Sequence, residues 1–114
     1  MLAKSNRITQ GAEYRGTVRR GKKYVGPSTV TYIRASDDSS SDARFGFIVA
    51  KSVGVAVVRN RVRRRLKAAS FALLPCLAPG TDVVVRALPE AASQPYGVLF
   101  EELSRSLTKG SVLA

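Results

Sequence analysis

The segment from Val55 to Leu74 restricts the fold more than any other part of the sequence. When it is drawn as a helix with 100° per residue, five apolar side chains fall within an arc of about 80°. These are Val55, Val58, Val62, Leu66 and Ala69. A narrow apolar stripe must pack against another surface, and Pro75 stops a helix. The segment therefore predicts a helix over 55–74 whose stripe lies on a sheet.

The rest of this helix's circumference carries five arginines, one lysine and one asparagine. They are Arg59, Asn60, Arg61, Arg63, Arg64, Arg65 and Lys67. Like charges at i,i+4 repel each other by roughly 0.2–0.5 kcal/mol per pair, and phosphate would relieve that repulsion. The planar guanidinium binds phosphate at two points, and an amide can read a ribose hydroxyl or a base edge. Because solvated helix faces usually mix both signs of charge, we interpret this face as a nucleic-acid-binding ridge.

Charge over the whole chain favours the same class of partner. The 114 residues carry a net charge of +11, and residues 1–67 alone hold 16 basic and 4 acidic side chains, a net charge of +12. The absence of histidine excludes imidazole-based catalysis and metal binding, and the single Cys76 excludes an internal disulfide. There is neither an apolar run of about 18 residues nor a secretory signal near the start. We expect a cytoplasmic binding protein.

The remaining pattern predicts alternating helices and strands in a single domain, residues 1–114. A basic arm (1–8) precedes a helix over 10–20 that is capped by Thr9, and residues 110–114 are expected to form a flexible tail. Strands are predicted within 24–35, interrupted at Gly26–Pro27, and over 44–50 and 82–87. A polar loop over 36–42 follows the first of them, and an amphipathic helix over 97–109 closes the domain.

A second basic cluster lies at the end of the first helix. Arg15, Arg19, Arg20, Lys22 and Lys23 come close in sequence to Tyr14, and the predicted sheet brings Tyr32 near. Aromatic faces beside cations suit single-stranded nucleic acid, whose unstacked bases stack on rings. Alternatively, the two tyrosines are core aromatics with solvated hydroxyls. Composition alone leaves both interpretations open.

The segment around the cationic helix resembles a known family. Arg44–Lys51 leads through Gly54 into Ala56–Leu66, which contains Arg59-Asn60-Arg61, and this arrangement is similar to the bacterial ribonuclease P protein. Weaker similarities are found at Glu13–Tyr14, Arg19–Gly21 and Pro79–Val85. The resemblance covers roughly residues 2–109.

The resemblance implies an α+β fold, a two-layer α/β sandwich like the second domain of ribosomal protein S5. Its element order is α-β-β-(β)-α-β-α, with a left-handed βαβ crossover that departs from the usual right-handed rule. It also implies a subunit of a ribonucleoprotein that removes the 5′ leader from precursor tRNA. The RNA subunit, with Mg²⁺ bound mainly by RNA, would catalyse the cleavage. This chain would supply no catalytic residue and no metal ligand.

The resemblance also assigns residue roles and partners. The ribonuclease P RNA subunit would contact Lys51, Arg59, Asn60, Arg61, Arg63, Arg64, Arg65 and Lys67. The leader of precursor tRNA would lie in a cleft formed by Tyr14, Arg15, Val18, Arg19 and Tyr32. No membrane and no obligate protein partner are expected. The alternatives are a non-catalytic ribosomal or RNA-chaperone protein and, less favoured, a DNA-binding helix, for which the sequence lacks a recognisable docking partner.

Overall fold

The computed structural model describes residues 2–35 and 41–113. Three helices and four strands follow one another in the predicted order, and the optional strand of that prediction is present. The elements are α1 (Gly11–Arg20), β1 (Lys22–Val25), β2 (Thr29–Ala35), β3 (Arg44–Ile48), α2 (Ala56–Leu73), β4 (Thr81–Ala87) and α3 (Tyr96–Lys109). The predicted α+β class is thus confirmed.

The four strands form one mixed sheet in the order β1-β2-β4-β3. β1 and β2 make an antiparallel hairpin around the Gly26–Pro27 break, and β2 pairs antiparallel with β4, so that Tyr32 faces Val84. β3 runs parallel to β4, with Arg44 beside Asp82. Parallel neighbours need a crossover connection, and α2 provides it.

The two faces of the sheet bury different side chains. Val30, Tyr32 and Val84 pack with Tyr14 and Val18 of α1. The alternate residues of the same strands, which include Ile33, Val83 and Val85, face α2 and α3. They form the larger core together with Leu99 and Leu103 of α3. Side chains of a strand alternate between faces, and the predicted separation of Val30 and Tyr32 from Ile33 is confirmed.

The apolar stripe of α2 is buried as predicted, with one exception. Val62, Leu66 and Ala69 are completely inaccessible to solvent and Val58 is partly buried. Val55, however, is 70% exposed. It has extended backbone and precedes the first helical residue, so the helical spacing that placed it on the stripe does not apply there. The prediction for Val55 was wrong.

Both ends of the described chain pack against the domain. Leu2 and Ile8 are buried, and the Ile8 amide donates to the Phe45 carbonyl at 2.9 Å, so that the basic arm covers the free edge of β3. Gln10, rather than the predicted Thr9, occupies the N-cap position of α1, and no side chain caps it. Near the C-terminus, the Ala78 amide donates to the Val112 carbonyl. Part of the predicted flexible tail is therefore held by the loop after α2.

Two further features bear on the sequence predictions. Residues 36–40 of the predicted polar loop, with Asp37 and Asp38, lie outside the described residues. Across the part of the chain that is described, no helix combines the length and apolar character needed to cross a membrane.

Candidate nucleic-acid interface

The polar side chains of α2 form a strongly basic surface, which we call the arginine ridge. It consists of Arg59, Asn60, Arg61, Arg63, Arg64, Arg65 and Lys67. Asn60, Arg64 and Lys67 are exposed, and the other four are partly buried. Because Val62 and Leu66 anchor the opposite side of the helix in the core, the ridge is held rigidly by the fold.

Two ridge arginines also support the loop before α3. Arg61 Nη2 donates to the Ala92 carbonyl at 3.2 Å, and Arg65 Nη1 donates to the Gln94 carbonyl at 2.6 Å. These bonds tie α2 to the short 3-10 helix Pro89–Ser93 and the residue that follows it. Both side chains therefore have a structural role in addition to their charge, which the sequence pattern did not reveal.

The start of the ridge is ordered by local hydrogen bonds. Arg59 Nε donates to the Gly54 carbonyl at 3.1 Å, and Arg63 Nη1 donates to Asn60 Oδ1 at 3.0 Å. Lys51 is exposed in the 3-10 turn Lys51–Val53, immediately before Gly54. Lys51 thus precedes α2 in the chain, and its predicted contact with RNA stays a prediction.

The positive charge of the ridge is not neutralised by nearby carboxylates. Within residues 2–35 and 41–113, both ion pairs belong to Arg44, which contacts Glu13 and Asp82. The hydrogen bonds that Arg44 donates to Asp82 raise the pKa of Arg44 above its ordinary value, against a smaller opposing effect of burial. Neither of these two carboxylates contacts the ridge, and no ridge cation takes part in an ion pair among the described residues.

A second candidate surface lies on the α1 face of the sheet. Tyr14, Arg15, Val18 and Arg19 line an open cleft of about 480 Å³ together with Ile48 at the end of β3. Four of the five predicted cleft residues are thus brought together. The fifth, Tyr32, is only 6% exposed and packs beneath Tyr14 and Val18. Ile48 was missed, although strand alternation from Gly46 puts it on this face.

The side chain of Tyr14 is fixed in this cleft by two contacts. The Phe47 amide donates to Tyr14 Oη at 3.2 Å, and the ring lies directly over Gly46. A Cβ at position 46 would come within 2.6 Å of Tyr14 Cε1. The absence of a side chain at Gly46 therefore allows the tyrosine ring to approach β3 closely.

One protein family matches nearly the whole chain. The family model for ribonuclease P matches residues 2–110. The chain belongs to the ribonuclease P protein family. Relatives named ribonuclease P protein component include one from Clavibacter michiganensis, 46% identical over 110 residues and covering 96% of both chains. Another, from a Mycobacterium species (strain KMS), is 42% identical over 109 residues, covering 96% of this chain and 92% of the relative.

Solved structures of this family share the fold. The ribonuclease P protein of Staphylococcus aureus superimposes with a TM-score of 0.85 over 97% of this chain and all of the other, at 22% identity. That of Thermotoga maritima gives 0.78 over 90% and 96% of the two chains, at 19% identity. The family membership makes this chain the protein subunit of ribonuclease P, an endoribonuclease complex, rather than a ribosomal or DNA-binding protein.

Metal-binding side chains are not clustered in the described part of the chain. No group of three His, Cys, Asp or Glu residues there could hold an ion.

Proposed function

We propose that this chain binds two RNAs at once, the ribonuclease P RNA subunit along the arginine ridge and the 5′ leader of precursor tRNA in the cleft beside α1. The observation that carries the proposal is the charge of the ridge, which no carboxylate of the described residues neutralises and which Arg64 and Lys67 expose to solvent. Clustered Lys and Arg side chains release counterions from phosphates, and this dominates RNA affinity at low salt.

The position of the two surfaces supports simultaneous binding. α1 packs on one face of the sheet, whereas α2 packs on the other. An RNA segment on the ridge therefore leaves the cleft open for a second segment. The cleft combines a tyrosine ring and two aliphatic side chains with Arg15 and Arg19, a composition that suits unstacked bases and their phosphates.

The chemistry of cleavage is assigned to the RNA subunit in this proposal. Mg²⁺ held by that RNA would supply the activation of water and the stabilisation of charge on the phosphate. The part of this chain is to bind and orient: the ridge holds the RNA subunit and the cleft holds the leader. Because both proposed partners are RNAs, we propose a cytoplasmic location.

Reconstitution tests the proposal. The protein is added to a bacterial ribonuclease P RNA at low Mg²⁺, and release of the 5′ leader from precursor tRNA is followed. We expect faster cleavage than with RNA alone and no cleavage by the protein alone. Binding to the RNA without faster cleavage would instead favour an RNA-chaperone role. Cleavage by the purified protein without RNA would contradict the assigned division of labour.

Matched variants test the ridge and the cleft separately. Arg64→Gln should weaken binding of the RNA subunit, whereas Arg105→Gln, an equal loss of charge at an exposed site on α3, should have a much smaller effect. Tyr14→Ala should weaken binding of precursors with long leaders but not of precursors with a one-nucleotide leader. Equal losses for both leader lengths would contradict the assignment of the cleft.

A further inference from the structure

A groove of about 600 Å³ lies between α2 and the N-terminal arm. One wall is the outward face of α2, from Asn60 through Arg64 and Lys67 to Phe71, residues that lie three or four apart and share one side of the helix. The other wall is formed by Leu2 and Arg7 of the arm. The sequence did not indicate this groove, because only the folded chain brings the arm beside α2.

We call the apolar residues of these two walls, Leu2, Ala68 and Phe71, the floor of the groove. Phe71 is 49% exposed, whereas Val62 and Leu66 of the same helix are completely buried. Neither ring–ring contact found among the described residues includes Phe71. Leu2 and Ala68 complete the apolar surface beside it. A large ring in this position leaves a flat face available to a planar ligand.

The rim of the groove is strongly basic. Arg7, Arg63, Arg64 and Lys67 surround the apolar floor, and no carboxylate lines it. The exposed Asn60 amide adds a group that can donate to or accept from a base edge. An aromatic floor, a cationic rim and an amide together match a nucleotide, which has a planar base, hydrogen-bonding edges and a charged phosphate.

We propose that this groove holds an unpaired nucleotide of the ribonuclease P RNA subunit. The base stacks on Phe71, and the adjoining phosphates contact Arg7, Arg64 and Lys67. The inference rests on the proposed function, because Arg63, Arg64 and Lys67 also belong to the ridge that binds this RNA. The leader of precursor tRNA is not the occupant, because its cleft lies on the opposite face of the sheet.

Crosslinking tests which nucleotide occupies the groove. Phe71 is replaced by photoreactive p-benzoylphenylalanine, and the same replacement at Tyr96, an exposed aromatic residue on α3, is the control. In the complex with the RNA subunit, we expect position 71 to crosslink to an unpaired nucleotide of that RNA. Crosslinks to paired nucleotides or to added precursor tRNA would overturn the proposal, as would a yield no higher than at position 96.

Affinity measurements test the stacking contact. Phe71→Leu keeps an apolar side chain but removes the ring, and it should weaken binding of the RNA subunit by roughly five- to 150-fold. Because no charge is lost, the slope of log affinity against log salt should not change. Phe71→Trp should retain the wild-type affinity, and Tyr96→Leu should change it little.

The two proposals fail in different ways. Wild-type affinity in Phe71→Leu, or an equal loss in Tyr96→Leu, would overturn the nucleotide site while leaving the ridge intact, and the exposed ring would then suit a protein partner. A wild-type protein that neither binds the RNA subunit nor speeds cleavage would overturn the proposed function itself.

Discussion

Arg44 and Asp82 form a two-point ion pair across the parallel strands β3 and β4. Arg44 Nε and Nη2 donate to the two carboxylate oxygens of Asp82, each at 2.9 Å. The remaining Nη1 reaches Glu13 on α1 at 2.5 Å. One guanidinium therefore joins two strands and a helix. It holds α1 at Glu13, the residue before Tyr14, and Tyr14 lines the candidate leader cleft.

We expect Arg44→Met to lower the free energy of unfolding by about 1.5–3 kcal/mol, because it removes charge-assisted hydrogen bonds and leaves two carboxylates unpaired. Urea denaturation followed by circular dichroism measures this loss. Arg86→Met on β4 is the matched control, since Arg86 is exposed, and it should cost less than about 0.5 kcal/mol. Equal stability of the Arg44 variant and wild type would contradict the role of the ion pair.

The contact between Tyr14 and Gly46 gives a second prediction. Gly46→Ala should displace the tyrosine ring and weaken binding of long-leader precursor tRNA, without affecting binding of the RNA subunit. Gly46→Ala should cost little further affinity in a Tyr14→Ala background, because the ring that clashes has been removed. Additive losses in that double-mutant cycle would show that Gly46 affects the cleft by another route.

Much of the fold could be predicted because its elements have strong local signals. The stripe containing Val62 and Leu66 defines α2, and alternation in β2 separates Tyr32 from Ile33. Errors arose where the position of a residue depends on a helix boundary or on tertiary packing rather than on the local pattern. Val55 lies one residue outside the helix, so helical spacing misplaced it. Tyr32 faces the predicted side of the sheet, but α1 packs over it. The sequence does not show how completely a helix buries a residue on that face.

The candidate site was less predictable, because its finer contacts join distant parts of the chain. The carbonyls that accept from Arg61 and Arg65 belong to the loop before α3. Leu2 and Phe71 line one groove although they lie far apart in the sequence. A backbone carbonyl has no sequence signature as an acceptor, and the side-chain pattern of α2 alone made all its arginines look equivalent.

Arg61 and Arg65 contact the loop before α3, so we expect two classes of ridge variant. Arg61→Gln and Arg65→Gln should weaken RNA binding and also lower the free energy of unfolding by about 0.5–1.5 kcal/mol each, through the lost loop contacts. Arg64→Gln and Lys67→Gln should reduce the salt slope by about one unit each with little change in stability. Salt titrations and urea denaturation of all four variants compare the classes. Indistinguishable stabilities would show that the loop contacts contribute nothing measurable.

Gly54 and Gly97 provide the last prediction, as a matched pair of glycines near the starts of α2 and α3. Gly54 has φ of 155°, and an added Cβ would lie 2.9 Å from Val58 Cγ1. Its carbonyl also accepts from Arg59. Gly54→Ala should therefore lower the free energy of unfolding by about 1–3 kcal/mol and displace Arg59 from the ridge.

Gly97→Ala is the control, and it should raise the free energy of unfolding rather than lower it. An added Cβ there would meet no heavy atom of the described residues within 4 Å, and the residue is helical. Alanine restricts the unfolded chain more than glycine does, so this variant should be more stable by about 0.4–1 kcal/mol. Urea denaturation of both variants gives the comparison. If Gly54→Ala were as stable as Gly97→Ala, the backbone at position 54 would not require glycine, and the start of the ridge would be set by α2 packing alone.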